Sequence, residues 1–300
     1  MDIIKPTHKW HRYSTQKGIC LNCDCNEAID KYMAKKYLGK VQLIFTSPPF
    51  PLNRKKSYGN LSGEEYIKWL CEIGKKLIPL LKEDGSLVVE LGNAWNQGEP
   101  TVSTLPIEAL LALKNRCGLH LCQEFIYYNP AKLPGPTEWV NKQRVRVKDS
   151  FTRIWWLSKT PTPKANNANV LQEYSSQMQK LLERGTYNSG LRPSEHKISS
   201  DSFKKNNSGA IPSNVIIASN TASNDKYLLK CKEKKIPLHP ARMPLAIPTF
   251  FIKMLTDEED LVFDCFAGSN TTGYCAEQLN RNWVSCEINS DYFYGSKTRF

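Results

Sequence analysis

The chain has 300 residues, of which 40% are apolar and 23% are charged, and its formal charge is +12. This length suffices for one large or two modest domains. No apolar run reaches the roughly 18 residues of a membrane span, and the polar segment 1–12 is unlike a signal peptide. Ten cysteines without a secretory signal indicate free thiols in a reducing compartment. We therefore expect a cytoplasmic protein with no membrane partner.

The first candidate ligand cluster is Cys20, Cys23 and Cys25, with His8 and His11 upstream. Two cysteines with two residues between them, beside histidines, can form a zinc site. A zinc ribbon would need a second Cys-x-x-Cys half, and the sequence lacks one. We expect structural cysteines and no metal.

An apolar run at residues 41–45 is followed by a stiff polar motif, Thr46-Ser47-Pro48-Pro49-Phe50. Proline has no backbone N–H and a fixed φ, so the carbonyls of Ser47 and Pro48 should project as acceptors without competing donors. Ser47 adds a hydroxyl and Phe50 a flat face. Together they suit a planar group with an amino edge, such as a nucleobase outside its stack. The alternative interpretation is that the two prolines belong to an ordinary loop after the strand and have no role in binding.

Strand and helix patterns then alternate along the chain. Apolar periodicity predicts helices over residues 64–81 and 106–115, and strands over residues 86–91 and 123–128. Such alternation favours a mostly parallel sheet with helices on its faces.

The middle of the chain carries nearly all of the excess positive charge. Residues 131–240 contain 19 Lys and Arg against 8 Asp and Glu, which indicates a polyanionic partner such as nucleic acid. Within it, residues 139–157 alternate basic and apolar side chains. We interpret this stretch as a strand or hairpin whose basic face is either solvated or turned towards phosphates. Residues 160–235 shift to Asn, Ser, Lys and Pro, as in a variable recognition module with mobile loops.

A second motif lies near the C-terminus, Leu261-Val262-Phe263-Asp264-Cys265-Phe266-Ala267-Gly268-Ser269-Asn270-Thr271-Thr272-Gly273. It predicts a strand, an acidic residue at the end of that strand, a tight turn and a helix. This arrangement places a nucleotide-type ligand outside the carboxyl end of the strand. Glu287 ends the next predicted strand, nineteen residues after Gly268, and could accept hydrogen bonds from a ribose. The glycine pattern of a dinucleotide-binding turn is absent.

Three ordered motifs resemble those of the S-adenosylmethionine-dependent DNA amino-methyltransferases. Ser47-Pro48-Pro49-Phe50 resembles their catalytic motif, and the segment from Asp264 to Gly273 resembles their cofactor motif. His239-Pro240-Ala241-Arg242-Met243-Pro244 resembles a third block beside the cofactor. The order is that of the permuted β group, closest to the N4-cytosine enzymes of type II restriction–modification systems. The resemblance covers about residues 15–160 and 236–300. Cys265 and Asn270 stand where that family frequently has proline and glycine.

The resemblance implies an α/β fold, a Rossmann-like seven-stranded methyltransferase sheet in permuted order with an inserted target-recognition region. It divides the chain into a catalytic half (1–160), the recognition region (161–235) and a cofactor-binding half (236–300). The strands that end at Phe45 and Phe263 should bring their loops together at the carboxyl edge of the sheet.

The resemblance also assigns site residues and a cofactor, S-adenosylmethionine. Catalysis would fall to Ser47, Pro48, Pro49 and Phe50. The residues expected to bind the cofactor are Asp264, Phe266, Gly268, Ser269, Asn270, Thr271, Glu287 and Pro244. Those expected to contact DNA phosphates are Arg144, Arg146 and Lys148.

The implied reaction is methylation of cytosine N4 in double-stranded DNA. Ser47 favours cytosine, because adenine-N6 relatives mostly carry aspartate at this position; adenine N6 remains the alternative. The C5-cytosine enzymes need a Pro-Cys nucleophile, and this chain contains no Pro-Cys pair. A non-catalytic nucleic-acid-binding module is a third reading, disfavoured by the intact motifs. A cognate restriction endonuclease would share the recognition sequence without direct contact.

Overall fold

The structure is a computed structural model that describes residues 10–50, 61, 63–185, 189–199, 205–220 and 225–300. The chain forms two compact units. The larger unit comprises Met1–Ala165 and Asn214–Phe300, and the smaller comprises Asn166–Ser213.

The larger unit is built on one long sheet, whose strand order is β1-β2-β13-β12-β3-β4-β8-β7-β11. All strands of the described residues are, in chain order, β1 (His11–Ser14), β2 (Gly18–Asn22), β3 (Val41–Thr46), β4 (Leu81–Gly92), β5 (Ala94–Trp95), β6 (Val102–Ser103), β7 (His120–Tyr128), β8 (Phe151–Ser158), β9 (Gly190–Leu191), β10 (Lys197–Ile198), β11 (Val215–Ile217), β12 (Leu261–Asp264) and β13 (Asn282–Glu287). The sheet is parallel from β2 to β4, and β8 runs antiparallel to both β4 and β7.

The two strands that precede the predicted motifs lie side by side at the centre. Every residue of β3 and of β12 is buried. A strand covered on both faces is mainly apolar, which explains why Val, Leu, Ile and Phe fill these strands except at Gln42, Thr46 and Asp264. The pairing of β3 with β12 confirms the permuted order, because more than two hundred residues separate the strands in the chain.

The α/β fold class is confirmed, and two edge strands extend the predicted seven. β1 folds back antiparallel on β2. At the opposite edge, the three residues of β11 pair in parallel with β7. Strands as short as these carry too little periodicity to be found in the sequence.

Helices cover both faces of the sheet and enclose two apolar cores. The helices of the larger unit are α1 (Cys25–Ala28), α2 (Ala34–Tyr37), α3 (Gly63–Leu77), α4 (Leu105–Cys117), α6 (Lys226–Glu233), α7 (Ala246–Leu255), α8 (Thr271–Gln278) and α9 (Ser290–Ser296), and α5 (Ser176–Arg184) belongs to the smaller unit. Both predicted helices exist as α3 and α4. The first ends earlier than predicted, with a 3-10 turn at Ile78–Leu80 that contains Pro79.

The predicted strand or hairpin over residues 139–157 is wrong in its first half. Glu138–Lys142 forms a turn of π-helix, and regular strand structure begins only at β8. The basic-apolar alternation at residues 144–148 therefore belongs to an irregular segment. There Arg144 has a positive φ of 57°, which is incompatible with a strand.

The smaller unit is shorter than the predicted recognition region of residues 161–235. It contains α5, whose first turn is capped by the Ser175 side chain, and a short antiparallel pair of β9 and β10. After it, β11 and α6 belong to the larger unit. Among the described residues no helix is both long and apolar enough to cross a membrane.

Candidate active site

A cleft of about 810 Å³ opens at the carboxyl edge of the sheet, and both predicted motifs line it. It has two sides. We call the part lined by Ser47, Glu90, Thr152 and Tyr127 the serine side. The part lined by Asp264, Gly268 and Glu287 is the glycine side. Thr46 Oγ1 donates to Asp264 Oδ1 across 2.9 Å and joins the two motifs, which confirms that the strand ends meet.

Asp264 organises the base of the glycine side. Its carboxylate also accepts from the Phe266 N–H at 3.0 Å and from Thr272 Oγ1 at 2.7 Å. Burial raises the pKa of Asp264, and these hydrogen bonds oppose that shift. The side chain therefore ties β3, the turn after β12 and the start of α8 to one point.

Gly268 lies in a left-handed conformation where a side chain would also be crowded by His239. Its φ is 53°, and a Cβ there would lie 2.9 Å from His239 Nε2. The Gly268 N–H donates to Glu287 Oε2 at 2.7 Å. The block that begins at His239 thus packs against this turn.

Glu287 reaches the same turn from the end of β13. Its second oxygen accepts from the Asn289 N–H at 2.8 Å, and burial raises the pKa of this carboxyl. The Ile288 N–H also donates to this carboxylate, so the protein occupies three of its roughly four acceptor sites. The spacing between Gly268 and Glu287 that the sequence singled out is therefore a direct contact.

Asn270, unlike the other residues predicted to bind the cofactor, does not line the cleft. It is fully buried with φ 51° and caps α8 by accepting from the Gly273 N–H. Its amide donates to the Tyr13 hydroxyl at 3.0 Å and accepts from Ser285 Oγ at 2.8 Å. Asparagine tolerates the left-handed conformation where the family often has glycine. Asn270 is not among the residues that line the cleft, so its contacts here are structural.

A buried arginine that the sequence did not mark supports the turn from behind. Arg299 Nε donates to the Ser269 carbonyl at 2.6 Å, and its Nη2 lies 3.1 Å from Ser269 Oγ and 3.3 Å from Thr271 Oγ1. Asp225 balances its charge at 3.5 Å. An arginine near the end of a chain gives no local signal that it will pack beneath a distant turn.

The glycine side fits the predicted cofactor in charge and in its mixture of acidic and apolar groups. Asp24, Asp264 and Glu287 place three carboxyl groups on the cleft, which suits a ligand with a sulfonium and an ammonium group. Phe266 and Ile288 add apolar surface. Pro244 also lines the cleft. The remaining predicted residues on this wall are Ser269 and Thr271.

The serine side holds a buried carboxyl group that the sequence analysis missed. Glu90 on β4 is 6% exposed and accepts from Thr152 Oγ1 at 3.0 Å. Burial raises its pKa, and hydrogen bonds from Thr152 and from the Ser47 hydroxyl lower it in part. Both hydroxyl groups thus direct their hydrogens at Glu90, which leaves the lone pairs of Ser47 Oγ available. The only sequence signal was a charged residue inside an apolar strand.

Phe50 packs on the bare backbone of Gly92 at the end of β4. A Cβ at Gly92 would lie 2.5 Å from Phe50 Cε2. Glycine is therefore required for the ring to rest there. Pro48 is buried and Pro49 half-buried, and both line the cleft beside Ser47.

The three basic residues predicted to contact DNA do not line the cleft. Arg146 Nε donates to the Pro100 carbonyl at 2.9 Å, and Lys148 Nζ donates to the Pro130 carbonyl at 3.1 Å. Arg144 is exposed. Lys132 and Arg242 are the cations that do lie on the cleft wall. A DNA role for the first three remains a prediction.

Cys20, Cys23 and Cys25 are free and buried. Burial raises the pKa of Cys23 and of Cys25 to about 12, so both thiols stay protonated. In the part of the chain that the structure describes, no three His, Cys, Asp or Glu side chains are grouped to hold a metal ion. His8 lies outside the described residues.

Comparisons with known proteins agree with this geometry. Residues 41–298 match the family model N6_N4_Mtase, described as DNA methylase. The chain is 43% identical over 290 residues to the type II methyltransferase M.PvuII of Proteus hauseri, covering 96% of this chain and 85% of that protein. The solved PvuII DNA methyltransferase (cytosine-N4-specific) superimposes with a TM-score of 0.77 at 37% identity, over 96% of this chain and 88% of the other. The M1.HpyAVI–SAM complex shares the fold, with a TM-score of 0.55 at 20% identity over 93% and 97% of the two chains.

Proposed function

The chain belongs to the N6_N4_Mtase family of DNA methylases, and we propose that it transfers a methyl group from S-adenosylmethionine to cytosine N4 in duplex DNA. The observation that carries the proposal is the direct contact between the two motifs. The Thr46–Asp264 hydrogen bond fixes the serine side and the glycine side in one cleft. A base on one side and a methyl donor on the other would meet there.

The exocyclic amino group of the base must be activated before it can attack the methyl group. Its lone pair is delocalised into the ring, so it is a weak nucleophile. The carbonyls of Ser47 and Pro48 and the Ser47 hydroxyl oxygen can accept its two hydrogens and favour a pyramidal nitrogen. S-adenosylmethionine supplies an electrophilic methyl group when bound, and orientation then accounts for much of the rate. Phe50, resting on Gly92, can stack on the ring.

Glu90 completes this arrangement as the proton acceptor. The amino nitrogen must lose a proton once it has gained a methyl group. Ser47 can accept a hydrogen bond from that nitrogen while it donates its own hydrogen to the Glu90 carboxylate. The raised pKa makes Glu90 a stronger base than an exposed glutamate. No covalent enzyme–base intermediate is required.

Cytosine is the better-supported target. The relative that is 43% identical over nearly the whole chain is a type II methyltransferase, and its solved namesake is described as cytosine-N4-specific. Ser47 provides a neutral hydroxyl at the position where adenine-N6 relatives mostly carry aspartate. We therefore favour cytosine N4 over adenine N6.

The same proposal includes the partners. Duplex DNA is the substrate, bound through lysine and arginine contacts to phosphates, which include Arg144, Arg146 and Lys148. We propose that the unit Asn166–Ser213 contributes to target recognition. A restriction endonuclease with the same recognition sequence would complete a restriction–modification pair, and the enzyme would act in the cytoplasm.

The direct test is methylation of duplex DNA in vitro with a labelled methyl donor, followed by nucleoside chromatography. We expect N4-methylcytosine as the labelled product, formed about tenfold to a hundredfold more slowly by the Ser47→Ala variant. N6-methyladenine as the sole product would refute the cytosine assignment. A protein that binds DNA without any methyl transfer would refute the enzymatic one.

A further inference from the structure

Two tyrosine hydroxyls on the cleft wall are buried and have no hydrogen-bond partner among the described residues. They belong to Tyr66 on α3 and Tyr127 on β7. Leaving a buried donor unsatisfied is unfavourable, so each such group requires an explanation. Tyr127 stands out because it lies among the polar groups of the serine side.

The strand register places Tyr127 beside the residues of the proposed reaction. Thr152 of β8 pairs with Gly92 of β4 on one side and with Tyr127 of β7 on the other. Paired residues project to the same face of a sheet, and Thr152 also donates to Glu90. Ser47, Glu90, Thr152 and Tyr127 therefore form a row across the carboxyl edge.

The phenol is close to Glu90 and remains a donor. Burial, together with the charge of Glu90, raises the pKa of Tyr127 to about 12. Its hydroxyl is therefore protonated throughout the physiological range. It is 7% exposed and has an aromatic neighbour, Phe125, two residues earlier on the same face. Packing on that face holds the ring at the cleft wall, where its buried hydroxyl has no partner in the described chain.

We propose that Tyr127 is a specificity-determining residue whose hydroxyl donates to the O2 carbonyl of the flipped cytosine. The inference rests on the proposed function. Along the pairing edge of cytosine the amino group, the ring nitrogen and the carbonyl follow in that order. Ser47 meets the amino group at one end, and Tyr127, on the far side of Thr152, meets the carbonyl at the other.

This contact distinguishes the two candidate bases. Adenine has an amino group and a neighbouring ring nitrogen but carries C–H where cytosine has its carbonyl. With adenine bound, the Tyr127 hydroxyl would stay buried and unpaired. A site built to hydrogen-bond a substrate group discriminates strongly against an analogue that lacks it.

The test uses two duplexes that differ only in the target nucleotide, placed in the recognition sequence of the enzyme. One carries cytosine. The other carries a 2-aminopyridine C-nucleoside, which keeps the amino group and the adjacent ring nitrogen but lacks the carbonyl. The full-length wild type and Tyr127→Phe are compared by kcat/KM for methyl transfer on each. Tyr128→Phe is the matched control, because Tyr128 is the next residue of β7 and does not line the cleft.

We expect Tyr127→Phe to lower kcat/KM about tenfold on cytosine and less than about twofold on the aminopyridine duplex. Tyr128→Phe should be close to wild type on both. Equal losses on the two duplexes, or no loss on cytosine, would overturn the inference. The wild-type product is an independent readout: N6-methyladenine in place of N4-methylcytosine would refute the proposed function itself. Thermal unfolding of Tyr127→Phe checks that the fold is retained.

Discussion

The two sides of the cleft differ in how far the protein itself satisfies their polar groups with hydrogen bonds. On the glycine side the carboxylates of Asp264 and Glu287 already accept several hydrogen bonds from the protein itself. On the serine side the buried Glu90 carboxyl accepts from only two side chains, Thr152 and Ser47, and the Tyr127 hydroxyl has no partner in the described chain.

This difference suits the glycine side to binding the cofactor and the serine side to the methyl-transfer reaction. A turn whose polar groups are already satisfied is rigid before its ligand arrives, so the ligand need not supply the energy of ordering it. Groups left with spare capacity can instead be completed by the substrate, and only by a substrate of matching pattern. Substitutions on the glycine side should therefore weaken cofactor binding, and those on the serine side should slow turnover.

The largest effect should follow Asp264→Ala. The substitution leaves three donors, from Thr46, Phe266 and Thr272, without their acceptor, at a cost of about 1–3 kcal/mol each. We expect S-adenosylmethionine affinity by calorimetry to fall by about a hundredfold or more. Asp84→Ala, at an exposed position, is the control for a lost carboxylate. Tight binding by a folded Asp264→Ala variant would contradict the role given to this residue.

Ser47→Ala should act on turnover alone. It removes one acceptor of the amino group and the link to Glu90, so single-turnover methylation should slow about tenfold to a hundredfold. The Kd for S-adenosylmethionine should change by less than about twofold, because Ser47 lies on the opposite side of the cleft. A variant with wild-type turnover, or one whose main defect is cofactor binding, would break the proposed division.

The pH dependence of methyl transfer should follow Glu90. Burial raises its folded pKa, and the form that accepts the proton is the ionised one. Activity should therefore rise with pH through that raised pKa and fall on acidification at a higher pH than an ordinary glutamate would require. Glu90→Gln should lower kcat by about tenfold or more and remove this limb from the kcat profile. If kcat of Glu90→Gln still fell on acidification at the same pH, the titrating group would be a residue other than Glu90.

Gly92→Ala should have the smallest effect. The new methyl group would lie 2.5 Å from Phe50 Cε2, so the ring must move from its resting place. We expect a loss of about fivefold in kcat/KM for DNA with unchanged cofactor affinity. In a Phe50→Leu background the same substitution should cost much less, because the smaller side chain relieves the contact. Equal costs in both backgrounds would show that Gly92 acts independently of Phe50.

How far the sequence predicts the molecule depends on the range of the interactions. Long apolar runs such as those of β3 and β12, and the periodicity of α3 and α4, reflect local patterns that are readable without a structure. Asn270 shows a limit, because its place in a cofactor-like motif says nothing of the direction of its side chain.

Glu90, Tyr127 and Arg299 were missed for a different reason. Each acquires its role from residues brought close by strand order or by packing, and no spacing in the chain records those neighbours. The alternating basic segment at residues 144–148 misled in the same way, since tertiary contacts of Arg146 and Lys148 with distant carbonyls override its strand-like pattern.

The most direct test of the central claim is to sequence the modified bases in DNA from cells that express the wild-type protein, beside cells that express Ser47→Ala. The account predicts N4-methylcytosine at one short recognition sequence with the wild type and its near absence with the variant. N6-methyladenine at that sequence, or identical DNA in the two cultures, would contradict it.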